Sequence, residues 1–473
     1  MNKRILLIFI SLQLSLLAIA QNTRLQNNSF ADTGLQAYPD TSSLLNAFKK
    51  GRFNLRFRYF FMNTLNEQNL ADYYANAIGG ALRYETAKFH NFQLAIGGST
   101  AFNIGSSDLA KADAVTGLFS RYEVGLFNIQ HPASKKDISR LDELYLKYSF
   151  KNSYIKAGRQ FIKSTFINLQ DGRMNATAVE AVWAEINQVK KINFQLGWIW
   201  KISPRGTANW YSPGASMGIY STGVNADGTK SGYANNIKSS GVAVFQLQAA
   251  LTKNIKLSVA DMYLLNVSNS SLTQVDYSYT LKNSAAIFAG VQAITQFAVK
   301  DGGNKNQPQT YMLKGSRSFT FGGKIGWKNT HWETSFNYNR ITKTGRYLSP
   351  REWGLEPFFT FLARERNEGF ADVQAVMGKV IYLIPKARFK ALLAAGYFHL
   401  PDVKNYEFNK YGLPSYTQIN VDVNYGFSNA LKGLAIQLLI IKKLNQGETY
   451  GIKNYVINKV NMVQYNIILN YNL

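Results

Sequence analysis

The chain contains no cysteine, so disulfides and thiolate metal sites are excluded. Histidine is scarce. The four are His90, His131, His331 and His399, none beside a serine motif of the kind a hydrolase needs. Acid is in short supply, with 28 Asp plus Glu against 53 Lys plus Arg and a formal net charge of +25. Beyond residue 20, no apolar run reaches the about 20 residues of a transmembrane helix. No glycine-rich phosphate loop, metal cluster or spaced carboxylate pair occurs, so no cofactor and no metal are implied. Proline- and serine-rich linkers are also missing. A soluble chain of 473 residues usually splits into several domains, and nothing here marks a boundary.

What is present is alternation. From Val463 to Leu473, the apolar residues Val463, Tyr465, Ile467, Leu469, Tyr471 and Leu473 interleave with Gln464, Asn466, Ile468, Asn470 and Asn472. Period two marks a strand with one oily and one wet face. Its length meets the about 9–11 residues of a transmembrane strand. The same pattern places Phe53, Leu55, Phe57, Tyr59 and Phe61 opposite Asn54, Arg56 and Arg58. It recurs at Leu144–Phe150, Ile192–Trp200, Phe319–Trp327, Trp332–Tyr338 and Thr417–Phe427. In the third of these, Lys324 falls on the wet face. Aromatics reach 14% of the chain, and such barrels hide their hydrophobicity in alternation rather than in runs.

The opening of the chain reads as a secretory leader. Lys3 and Arg4 precede an apolar stretch ending in Ala18-Ile19-Ala20, which sets a cut before Gln21. Removing Lys3 and Arg4 leaves 51 basic against 28 acidic residues, a net +23. An exported barrel does not meet nucleic acid, so this charge belongs to lipid-facing rims and loops, to the lumen, or to both. Residues 21–50 read as a periplasmic extension, with a short helix near Leu44–Lys49, and 51–473 as one barrel.

Turns are short at Lys151-Asn152-Ser153 and Lys328-Asn329-Thr330 but long at Ser203–Ser239, Lys300–Ser318 and Thr342–Gly369. That asymmetry is typical of outer-membrane barrels. At roughly 25 residues per strand with its connections, the mature length allows about 16–18 strands, enough for an aqueous channel. The fold class is therefore all-β, a transmembrane antiparallel barrel. The tryptophans Trp183, Trp198, Trp200, Trp327 and Trp332 are expected in interfacial girdles or on the lipid face, with Trp210 and Trp353 nearer an entrance.

Four segments, in order, resemble the OprD family of outer-membrane porins. They are L-R-F-R-Y-F-F at Leu55–Phe61, Y-I-K-A-G-R-Q at Tyr154–Gln160 followed by Asp171-Gly172-Arg173, K-I-S-P-R-G-T at Lys201–Thr207, and R-E-W-G-L-E-P-F-F-T-F-L-A-R-E-R-N-E-G at Arg351–Gly369. The resemblance implies a barrel of about 18 strands, narrowed by an inward third loop and a later constriction loop. It implies passive uptake of small solutes, often carboxylates, along a row of basic side chains. By matching position that row is Arg56, Arg58, Lys156 and Arg173, with Asp171 in the third loop and Arg364 and Arg366 in the later one. Two departures stand out: Asn175 follows Met174 where the family usually has proline, and the chain ends in Leu473 rather than an aromatic residue.

The expected function is a porin in the outer membrane of a Gram-negative cell, with no enzymatic role, favouring carboxylate-bearing or zwitterionic solutes. A transporter of hydrophobic compounds and a barrel enzyme are the alternatives. Expected partners are small solutes, outer-membrane lipid and lipopolysaccharide, and the barrel-assembly machinery. Monomer and homotrimer both remain open, and nucleic acid is not a partner.

Overall fold

In a computed structural model the chain closes into one antiparallel sheet. Residues 40–132, 137–169, 173–282, 284–364 and 366–473 are described. The leader expected at 1–20 lies outside them, as do residues 21–39 of the extension.

Eighteen long strands form the barrel. They are β1 (Arg52–Leu65), β2 (Tyr73–Glu85), β3 (Phe92–Ser106), β4 (Ile138–Phe150), β5 (Ser153–Gln160) and β6 (Ala178–Ile186). There follow β7 (Ile192–Ser203), β8 (Val242–Ala250), β9 (Ile255–Leu264), β10 (Ser268–Thr280), β11 (Ala286–Ala298) and β12 (Arg317–Lys328). The last six are β13 (Trp332–Ile341), β14 (Val373–Ile384), β15 (Phe389–His399), β16 (Tyr416–Gly426), β17 (Leu434–Asn445) and β18 (Met462–Asn472).

Each long strand pairs with its sequence neighbour, and β18 closes on β1 from Arg56↔Asn472 to Leu65↔Val463. The final residue takes part, since Leu473 N donates to Leu55 O at 2.9 Å and Leu55 N to Leu473 O at 3.2 Å. Among the described residues each of the eighteen long strands is thus paired on both sides, as a sheet in hydrocarbon requires.

Alternation sets which face is which. On β1, Phe53 and Phe57 are 69% and 50% exposed, whereas Arg56 and Arg58 are 6% and 2% exposed. Leu144, Leu146 and Tyr148 on β4 point outward, as do Phe319, Phe321 and Ile325 on β12. Trp198 and Trp332 share that outer face, but Trp183 is turned inward and buried beside Val179 and Ala181 on β6. Its register puts it on the lumenal side, where it packs over Gly197 rather than in a girdle. An exterior this apolar belongs in lipid.

The two rims differ. Connections 86–91, 151–152, 187–191, 251–254, 281–285, 329–331, 385–388 and 427–433 are turns on one rim. The other rim carries loops 107–137, 161–177, 204–241, 299–316, 342–372, 400–415 and 446–461. Before β1 lies helix α1 (Leu44–Lys49), where the sequence led us to expect one, with Ser43 Oγ accepting from Asn46 N at 3.2 Å as its cap.

Candidate functional site

Two loops fold into the lumen and interlock. Asn168 N donates to Trp353 O at 3.0 Å, and the Asn168 amide exchanges bonds with the Leu355 backbone at 3.0 and 3.1 Å. Thr177 Oγ1 donates to Glu352 O at 2.8 Å. The later loop is also pinned to the wall on both sides of its own strands. Gln292 reaches Pro357 O at 3.0 Å and Gln296 reaches Leu348 O at 2.7 Å from β11, while Gln418 on β16 reaches Ala363 O at 2.8 Å. Loop 342–372 therefore reaches inward from its wall to meet the third loop.

Loop 204–241 braces that contact. Trp353 is fully buried, and its Nε1 donates to Ser216 Oγ at 2.8 Å. Trp353 is thus a packing centre, not a surface at an entrance. Glu352 accepts from the Gly218 and Tyr220 amides at 2.9 Å each. Asn175, where the family pattern has proline, accepts from Gly206 N at 3.0 Å and donates to Thr207 O at 3.3 Å. An amide side chain does here what a proline cannot, tying the third loop to its neighbour.

Among the described residues, the lumen keeps a large cavity of about 2010 Å³. Among the described residues, twelve Lys or Arg border it against two carboxylates, Glu333 and Asp422. Arg173, Arg364 and Arg366 lie on this border, close to Arg121, Arg205 and Arg351. Arg364 is held open by β18, donating to Gln464 at 2.9 Å and Asn466 at 3.0 Å. Arg366 bonds Gly354 O and stands 3.9 Å from Glu356. Arg173 donates to Tyr122 O at 2.6 Å in a space that Gly125 leaves by having no side chain. The third-loop residue Asp171 lies outside the described residues.

Other candidates sit elsewhere. Arg58 donates to Asn470 at 2.7 Å and to the Arg173 carbonyl, so it fastens the third loop to the wall. Arg56 is buried beside Asp142 and Asn175 under that loop. Lys156 is buried with its ammonium 4.8 Å from the Tyr145 ring and 5.2 Å from that of Tyr154. Lys324 pairs with Asp276 at 2.7 Å and lies 4.5 Å from the Phe359 ring. None of these four is on the border of the large cavity.

Residues that the sequence did not single out complete the arrangement. Arg140 on β4 gathers Ser203 O at 3.1 Å, Pro204 O at 3.2 Å, Ala176 O and Asp142. At the loop-bearing end, Glu368 pairs with Arg351 at 2.7 Å and Lys410 at 3.5 Å, and accepts from Tyr411 at 2.9 Å. Burial would raise the Glu368 carboxyl, but Lys410 and Arg351 outweigh it and hold it below the usual range. Burial pushes Lys410 down to about 8. Lys459 donates to Tyr411 O at 2.9 Å and Asn454 O at 2.8 Å, and burial with the nearby Arg121 and Arg351 pushes it down to about 7. Lys410 and Lys459 sit in polar loops without periodicity, so no signal in the sequence distinguished them. Arg351 and Glu368 were visible only as ends of the fourth family-like segment.

No family sequence model matches the chain, and no curated protein sequence does. Solved structures do match. OccAB4 of Acinetobacter baumannii superposes with a TM-score of 0.69 at 16% identity, covering 89% of this chain and 98% of that one. OpdK of Pseudomonas aeruginosa, solved with vanillate, gives 0.68 at 12% identity over 90% and 99%. OccD3 of the same organism gives 0.67 at 11% identity over 94% and 98%. The fold is that of the OprD-family outer-membrane porins. The OprD-family barrel and its eighteen strands agree with what the four sequence segments implied.

Proposed function

We propose that this chain is an outer-membrane porin for passive diffusion of small hydrophilic solutes, with a preference for anionic and zwitterionic carboxylates. One observation carries the preference: the cavity is bordered by twelve cationic side chains and two carboxylates among the described residues. Guanidinium groups in water recognise carboxylates in bidentate fashion, and a row of weak sites passes an anion along. The solved OpdK complex holds a carboxylate, vanillate. Arg173, Arg364 and Arg366 are the proposed contact residues, with Arg56, Arg58 and Lys156 acting from behind the third loop. A transporter of hydrophobic compounds would place its charges away from the pathway, and a barrel enzyme would need a paired nucleophile and base. Neither reading has such support.

The domain plan follows the same reading: a cleaved leader at 1–20, a periplasmic extension at 21–50, and the barrel at 51–473. Lipid, lipopolysaccharide and the barrel-assembly machinery remain the proposed partners, for a monomer or a trimer. Liposome swelling tests the solute class. Uptake of a small monocarboxylate should exceed that of an uncharged solute of equal size, and equal rates would remove the preference.

A further inference from the structure

Helix α1 has an apolar face that the barrel does not cover. Leu44, Leu45 and Phe48 are 57%, 63% and 44% exposed. Spaced i, i+1 and i+4, they share about a third of the helix circumference. The opposite side is anchored: Ala47 is buried, and Ala47 O accepts from Ala87 N at 2.9 Å. Just before the helix, Asp40–Thr41 pairs in parallel with Lys88–Phe89, and Thr41 Oγ1 donates to Lys88 O at 2.8 Å. The helix is therefore held against the 86–91 turn, on the short-turn rim.

Its position relative to the lipid face follows from Tyr84. Tyr84 shares the outward face of β2 with Leu82, which is 50% exposed. Its hydroxyl donates to Phe48 O, and its ring stands 4.7 Å from that of outward-facing Phe53. The end of α1 thus rests on the outer side of the barrel, continuous with the lipid-facing belt. Lys49, Lys50 and Arg52, all exposed, follow directly.

We propose that α1 is an interfacial anchor that lies in the periplasmic leaflet, with Leu44, Leu45 and Phe48 among the acyl chains and Lys49, Lys50 and Arg52 at phospholipid phosphates. An amphipathic helix in the plane of the interface is stabilised by buried apolar area plus attraction to anionic headgroups. Long basic side chains extend toward the headgroups while their stems cover apolar surface. The occupant is bilayer phospholipid, because the exposed face runs into a surface that already belongs in lipid. This proposal rests on the reading of the barrel as membrane-spanning.

The absence of cysteine makes a direct test available. The mature chain carrying Leu45→Cys, Ser42→Cys or Ile325→Cys is labelled with an environment-sensitive fluorophore and reconstituted into phosphatidylglycerol-containing vesicles. The Leu45 probe should emit to the blue of the exposed Ser42 probe. Nitroxide lipids should quench it severalfold more than aqueous iodide does. Iodide-accessible, water-like emission at Leu45 would overturn the anchor. Protection from iodide without nitroxide quenching would assign the face to protein and overturn it equally. Ile325, which is 58% exposed on the belt, separates the two levels of the argument. Lipid quenching there with none at Leu45 sinks only the anchor, whereas a water-like Ile325 probe sinks the membrane reading itself.

Discussion

Two regions of the lumen use the same residue types to opposite ends. Under the third loop, Arg83 pairs with Glu85 at 3.0 Å and Glu143 at 3.4 Å, and Arg140 pairs with Asp142 at 2.5 Å. These side chains are buried, interlocked and shut off from the large cavity. On the later loop, Arg364 and Arg366 are partly buried but border the large cavity, Arg364 on Gln464 and Asn466 and Arg366 beside Gly354 O and Glu356. The difference lies in what covers them. Where a loop packs onto the wall, each cation needs a buried counter-charge and becomes structural. Where the loop itself lines the cavity, the cation stays on the cavity border, which is where the proposed function needs it.

The comparison can be broken from either side. The largest effect is expected at Arg140. Arg140→Met leaves Asp142 buried without its partner and strips bonds from several loop carbonyls, so it should destabilise the barrel by about 3–5 kcal/mol. Denaturant unfolding in detergent reads this, and a midpoint equal to that of wild type would show that the network is not structural. Next comes the pair Arg364→Gln with Arg366→Gln. The reversal potential in a salt gradient should move toward zero, with a smaller loss of stability than Arg140→Met brings. If Arg56→Ala moved it as far, the division between the two regions would fail.

A smaller change is expected at Arg58. Its bond to the Arg173 carbonyl is charge-assisted, of a class worth about 1.5–3 kcal/mol. Arg58→Ala should loosen the third loop and raise single-channel conductance while ion preference holds. Unchanged conductance would mean that the loop is held without it. The smallest effect concerns pH. Lys459 is cationic below about 7 and neutral above. Anion preference should therefore decline as pH rises through about 7, and Lys459→Met should flatten that step. A step that persists in the variant would assign it to another group.

The barrel was legible because its code is local. Period-two alternation set the face of every strand read from sequence, down to Ile468 on the wet side of β18. Trp183 escaped because its inward register depends on pairing with β7, which no local pattern reveals. The site was legible in part. The fourth family-like segment led to the later loop with Arg364 and Arg366, since a contiguous motif survives in one dimension. Arg58 was correctly turned inward by alternation, but alternation carries no information about which loop comes to rest on it. The Glu368–Lys410 contact joins two loops 42 residues apart, and Lys459 reaches Tyr411 from 48 residues away. Such meetings are fixed by closure of the barrel and are invisible before it.

The most direct test is the reversal potential of the refolded mature chain in a planar bilayer across a KCl gradient. The account predicts discrete conductance steps with a potential displaced toward that of chloride. Steps displaced toward the potassium potential would contradict it and remove the cationic cavity border from the permeation pathway.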